Sequence, residues 1–247
     1  MRALEICIGA DQADHAYNDV AAARKGGASR IELCTQMAQD GLTPDQGIIG
    51  AARKAWGEGA GLLVMIRPRA GDFVYSQGEK SQMADSIRMA ADCGADGVVL
   101  GLLSQQGEVD VPALTELVGL AQSLSLEVTF HRAFDAIAEP RSALDILLSL
   151  GIERLLSAGT PWQSGQGAQF GLANLRRWLA LAGDDLELVV GGGVGPHNLP
   201  AITTGLNGTS GHYSLHSHSA VLTQGRVDAD KVAHLAGLCR RASGTAC

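Results

Sequence analysis

The chain has 247 residues, 46% hydrophobic and 18% charged, with a formal net charge of −7. That balance fits a folded globular protein rather than a disordered one, and the acidic excess argues against a broad nucleic-acid-binding surface. No apolar run approaches the roughly 20 residues that span a bilayer, and the N-terminal MRALEICIGADQ lacks a secretory core and cleavage site, so a cytoplasmic protein with neither membrane nor nucleic-acid partners is expected.

In chain order, short apolar runs alternate with longer amphipathic ones. The pattern predicts strands over Leu4–Ile8, Arg30–Cys34, Leu62–Arg67, Gly97–Leu102, Glu127–His131, Arg154–Ser157, Glu187–Gly191 and Gly211–Leu215. Helical periodicity fills the gaps, over about 11–25, 44–56, 78–93, 112–122, 139–150, 169–182, 197–204 and 229–241. Strict alternation of strand and helix implies a parallel sheet with helical crossovers.

An internal grammar favours closure. GASRI (27–31), GADGV (94–98), GIERL (151–155) and GTSGH (208–212) each place a Gly at a helix end three residues before a strand, as a left-handed helix stop requires. These copies precede the second, fourth, sixth and eighth strands, at separations of 67, 57 and 57 residues. The expected fold is a TIM (β/α)8 barrel in a single domain over residues 1–247. The competing architecture is an open doubly wound sheet.

Alternation along the strands sorts their faces. Leu4, Ile6, Ile8, Ile31, Leu33, Val64, Ile66, Val128 and Phe130 would meet the helices. The other face would turn Glu5, Cys7, Glu32, Cys34, Met65, Arg67, Glu127, Thr129 and His131 into the barrel. Barrel interiors are usually filled with branched apolar side chains, and buried charges need partners or water. Charged residues near the strands' C-terminal ends therefore suggest a site, because barrel enzymes build theirs there.

Four groups of residues could form it. In MIRPRAGDFVYS (65–76), Arg67 and Arg69 offer guanidinium forks for a carboxylate or phosphate, with Asp72 orienting one of them. The alternative is that Arg67 neutralises Glu5 and Glu32 within the barrel. In TFHRAFD (129–135), His131 is either an acid/base group or a core histidine, with Arg132 and Asp135 beside it. In VVGGGVGPHN (189–198), Gly191, Gly192 and Gly193 could cradle a phosphate, or could make a plain tight turn. In GHYSLHSH (211–218), His212 and Ser214 share a face as ligand-binding candidates, whereas His216 and His218 are expected to decorate an exposed loop.

The five cysteines have no framework spacing and are expected to be free thiols, Cys239 and Cys247 near or in the tail. Cys7 and Cys34 end adjacent strands on one face. They could hold a soft ion such as Cu(I) or serve as small apolar fillers.

The runs LEICI, GGASRIELC, GLTP, MIRPRAGDFVYS, GADGVVLG, VTFHRAFD and VVGGGV, in this order, resemble the copper homeostasis protein CutC family. The resemblance implies a TIM barrel and a cytoplasmic homo-oligomer, a dimer or tetramer. It also implies a role in copper homeostasis, with Cys7 and Cys34 at the positions of the family's proposed copper ligands. Glu5, Glu32, Arg67, Arg69, Asp72, His131, Arg132 and Asp135 match the family pattern as well. Thr35-Gln36 depart from its usual Ser-Gly, and Ser214, Leu215 and His216 stand where it usually has a basic ending after strand eight.

Two functions follow. One is Cu(I) binding through Cys7 and Cys34. The other is an isomerase, lyase or hydrolase acting on a small anionic or phosphorylated metabolite. In it Arg67, Arg69, Asp72, Arg132, Gly191–Gly193, His212 and Ser214 would bind the substrate, and Glu5, Glu32, His131 and Asp135 would carry the chemistry.

Overall fold

A computed structural model describes residues 2–243; Met1 and residues 244–247, Cys247 among them, lie outside the described residues. Eight parallel strands close into a barrel: β1 (Leu4–Gly9), β2 (Arg30–Cys34), β3 (Leu62–Met65), β4 (Gly97–Leu100), β5 (Glu127–Phe130), β6 (Arg154–Ser157), β7 (Glu187–Val190) and β8 (Tyr213–Ser217). The pairing of β1 with both β2 and β8 closes the ring and excludes the open sheet.

Helices α1 (Ala13–Lys25), α2 (Gln46–Trp56), α3 (Gln77–Asp92), α4 (Val111–Ser123), α5 (Pro140–Ser149), α6 (Leu172–Ala182), α7 (Leu199–Leu206) and α8 (Ala229–Ser243) supply the crossovers. Local signals set several of their starts. Asp45 accepts from the Ile48 N–H to cap α2, and Ser76 forms a capping box with Glu79 at the start of α3. The four glycines of the internal grammar, Gly27, Gly94, Gly151 and Gly208, all have positive φ, as the helix-stop reading requires. Among the described residues, no helix is long and apolar enough to cross a membrane.

The core confirms the alternation of faces. Leu4, Ile6, Ile8, Ile31, Leu33, Val64, Ile66, Val128 and Phe130 belong to the large cluster under the helices, whereas Cys7, Cys34, Leu63, Met65 and Val99 form a separate cluster inside the barrel. Glu127 departs from the expected inward set. It is exposed at the start of β5 and pairs with Arg154.

The main correction concerns β8. It begins two residues later than expected and runs on to Ser217. Gly211 cannot open it, because its backbone has φ +106° and a Cβ there would lie 2.6 Å from the Leu179 carbonyl and 2.8 Å from that of Gly183. The strand starts only after this close approach to the end of α6, which carries His216 into the barrel wall beside Glu5.

Candidate functional site

The interior is polar at both levels. Near the N-terminal ends of the strands, Arg30 bonds Glu5 through Nε, Glu187 through both terminal nitrogens (3.2 and 2.6 Å) and Ser214 at 2.7 Å. Arg154 donates to Thr129 at 3.0 Å and to Glu127 at 2.7 Å. Arg30, not Arg67, is thus the cation that neutralises Glu5. Its guanidinium is held charged, against the cost of burial, by Glu5 and Glu187.

Above this layer, parallel pairing sets Cys7 beside Glu32 and Cys34 beside Gly9. The sulfurs of Cys7 and Cys34 and a carboxylate oxygen of Glu32 all lie within 4.8 Å of one another. Cys7, Cys34 and Cys93 carry free thiols. The Cys7 thiol is pushed well above its usual range by its contact with Cys34 and by burial. In Cys34 that same contact acts downward, but burial and the charges of Glu32 and Glu5 outweigh it and raise the pKa.

His216 Nε2 sits 2.9 Å from Glu32 Oε2 and 3.7 Å from Glu5 Oε1. Burial opposes charge on both His216 and Glu32, yet their mutual attraction prevails: His216 is raised well above 6.5 and Glu32 falls below 4.5. His218, one residue past the end of β8, is half-buried and lines the same cavity, its Nδ1 3.0 Å from the Cys7 carbonyl. The expectation that His216 and His218 decorate an exposed loop is therefore corrected, and the longer reach of β8 is the reason.

These groups open into a cavity of about 300 Å³ lined by Cys7, Glu32, Cys34, Met37, Met65, Arg67, His131 and His216, among others. His131 takes the Ala133 N–H on Nδ1 at 3.1 Å, so its neutral ring carries a proton on Nε2. Burial and the charge of Arg67 push its pKa down to about 3. Nε2 is buried with no partner among the described residues, which makes His131 a neutral donor waiting for an acceptor.

Arg67 serves a different end from the expected anion fork. One terminal nitrogen donates to the carbonyls of Gln39 (2.8 Å), Asp40 (3.2 Å) and Gly41 (3.2 Å), and the other to that of Gly71 (3.1 Å). Only Nε remains buried and unbonded. Arg69 and Asp72 stand away from the cavity. Arg69 binds Glu79, Asp72 and the carbonyls of Ala70, Asp72 and Val74, which braces the turn onto the start of α3. Their spacing in the motif suits either role, and the turn's own carbonyls decide it.

Asp135 is equally committed: it accepts from Ser157, from the Ala158 N–H and from Arg132 Nε at 2.7 Å. It therefore positions Arg132. Among the described residues the terminal nitrogens of Arg132 have no hydrogen-bond partner, and the side chain lies over the Trp162 ring. Arg132 lines both the barrel cavity and a neighbouring one of about 390 Å³ that includes Gly192 and Gly193. Among the described residues the N–H groups of these two glycines find no acceptor, whereas that of Gly191 is spent on Ser157. His212 and Ser214 fall at the opposite end of the barrel, His212 exposed beside Asp184 and Ser214 buried against Arg30.

The CutC family profile matches residues 2–219. A CutC family protein of Vibrio vulnificus is 42% identical over 205 residues, covering 82% of this chain and 77% of its own length. The human copper homeostasis protein cutC homolog is 37% identical over 214 residues, 87% of this chain and 73% of its own. A crystal structure of CutC from Streptococcus agalactiae superposes with a TM-score of 0.76 at 31% identity, covering 88% of this chain and 99% of that one. On sequence and fold together, the chain belongs to the CutC family.

Proposed function

We propose that the protein binds Cu(I) through Cys7 and Cys34 as part of copper homeostasis. The observation that carries this reading is a sulfur-lined wall: Cys7, Cys34, Met37 and Met65 all face the same cavity. Thiolate and thioether donors select Cu(I) over harder ions. Two metal–sulfur bonds of about 2.3 Å on opposite sides of an ion would separate the sulfurs by about 4.6 Å, compatible with thiols within 4.8 Å. Loading requires both thiols to lose their protons. Anaerobic Cu(I) titration against a competing chelator should give one tight equivalent, and unchanged affinity in Cys7→Ser/Cys34→Ser would remove these ligands. The reading takes residues 1–247 as one domain, cytoplasmic, and assembled as a dimer or tetramer. A single cooperative unfolding transition and light scattering test the domain and the assembly.

A second reading, a barrel enzyme acting on a small anionic metabolite, is favoured by a separate observation. Arg132, with free terminal nitrogens, stands beside the unbonded N–H groups of Gly192 and Gly193. In this form Arg132 and the glycines bind the anion in place of Arg67 and Arg69, His131 donates from Nε2, and the Glu32–His216 pair moves protons. Inorganic phosphate should raise the melting temperature of the wild type and leave Arg132→Ala unmoved. An equal shift in both proteins rejects the pocket.

A further inference from the structure

Behind the thiols lies a donor set that neither reading uses as a binding site. Glu5 is fully buried and Glu32 is 3% exposed. Glu5 Oε2 is taken by Arg30, but among the described residues Glu5 Oε1 has no hydrogen-bond partner, and neither has Glu32 Oε1. Both carboxylates converge on His216 Nε2, and one ligand atom from each of the three residues lies within 4.8 Å of the others. A buried acceptor left without a donor is costly; Glu5 Oε1 lies 3.7 Å from His216 Nε2, and the second orphan, Glu32 Oε1, belongs to the carboxylate whose other oxygen meets that nitrogen, which makes a pocket suited to a cation.

The spacing fits one small ion. Two ligand atoms each about 2.1 Å from a common metal lie about 3.0 Å apart at a right angle and about 3.4 Å apart at a tetrahedral angle. His216 Nε2 stands 2.9 Å from Glu32 Oε2, near the right-angle value, and 3.7 Å from Glu5 Oε1, a few tenths of an ångström beyond the tetrahedral one. We propose that Glu5, Glu32 and His216 form a site for a divalent first-row transition-metal ion, distinct from the thiol pair. One imidazole and two carboxylates suit ions of the manganese, iron, cobalt or zinc kind, whereas the thiol pair suits a softer one. The ion takes the place of the proton between His216 Nε2 and Glu32 Oε2. Arg30, bonded to Glu5 and Glu187, orients one ligand from behind. Glu32 and His216 line the 300 Å³ cavity, so the open coordination positions face the space where a small ligand would sit.

The two proposed sites have no ligand in common, although Glu32 lies within reach of both, which makes their tests separable. Full-length metal-free protein is titrated anaerobically with Co²⁺ and with Mn²⁺. The expected result is a Co²⁺ complex with visible ligand-field bands and no thiolate-to-metal charge-transfer band, unchanged in Cys7→Ser/Cys34→Ser. His216→Gln and Glu5→Gln should each weaken binding by at least about tenfold to a hundredfold, the loss expected for even an outer partner. Absence of Co²⁺ binding by the wild type, a thiolate charge-transfer band, or full affinity in His216→Gln overturns the site. If Glu5→Gln does not fold, the wild-type spectrum and His216→Gln decide. Loss of Cu(I) binding in the cysteine variant leaves this result untouched.

Discussion

Replacing Arg30 by Met removes the cation from the closed end of the barrel while keeping an unbranched side chain of similar reach. Arg30 is 9% exposed and supports Glu5, which is fully buried, together with Glu187 and Ser214. Glu187 keeps about a quarter of its side-chain surface in solvent, so its share of the loss is screened and small. The magnitude therefore rests on Glu5. Removing one partner of a buried ion pair costs about 3–5 kcal/mol, because the other charge is stranded. At about 2 °C per kcal/mol for a chain of this length, the melting temperature should fall by about 6–10 °C. Urea unfolding followed by circular dichroism gives the free energy, and calorimetry the temperature. Adding Glu5→Gln removes the stranded charge, so the double variant should recover more than half of the loss. A loss below about 1 kcal/mol in Arg30→Met, or a double variant less stable than Arg30→Met alone, would refute the charge-stranding argument.

Other consequences follow from the same interior. His131 takes up its proton near pH 3 when folded but near 6.5 when unfolded, so stability should fall with acidity across that window, by at most about 1.4 kcal/mol per pH unit. Glu32, depressed below 4.5, adds its own loss only as pH drops under that value. The slope between pH 4.5 and 6.5 should accordingly vanish in His131→Gln when urea midpoints are measured against pH. His216 acts in the opposite sense: its raised pKa gives stability that is complete below 6.5 and lost as pH climbs through the folded value. A His216→Gln variant that keeps the alkaline decline would contradict this. Gly101→Ala would place a Cβ 2.5 Å from His131 Nδ1 and 3.0 Å from Ala133 Cβ. It should destabilise by about 1–3 kcal/mol and move the His131 ring resonances in NMR spectra; unchanged resonances would argue that Gly101 does not hold the ring in place.

Which side of a strand faces inward was legible in the sequence, because the period of two is a local property. Glu5, Cys7, Glu32, Cys34, Arg67 and His131 were all assigned to the interior by that rule alone, and all are buried. Height along the barrel axis was not legible. His212, Ser214 and His216 share one parity, yet one is exposed at the bottom, one is buried against Arg30 and one meets Glu32. The turn at Gly211 sets that height, and it depends on a contact with α6 that no strand pattern encodes. Donor use was equally hidden. Arg67 and Arg69 look alike in MIRPRAGDF, but the carbonyls they meet belong to loops whose paths are fixed by tertiary packing. Arg30 carries no such signal, because an arginine opening a strand after a helix stop looks like a surface residue until the closed ring buries it.

The bonds from Arg67 to three successive carbonyls give the mouth of the barrel an unequal stiffness. Lifting the 39–41 segment would unfasten a buried cation from most of its acceptors at once, so that bank of the opening behaves as a fixed jamb. Widening to admit a larger guest then costs less where a lining side chain is held by fewer bonds, as at Arg132, which keeps one anchor, on Asp135. The doorway is braced most heavily along that one edge.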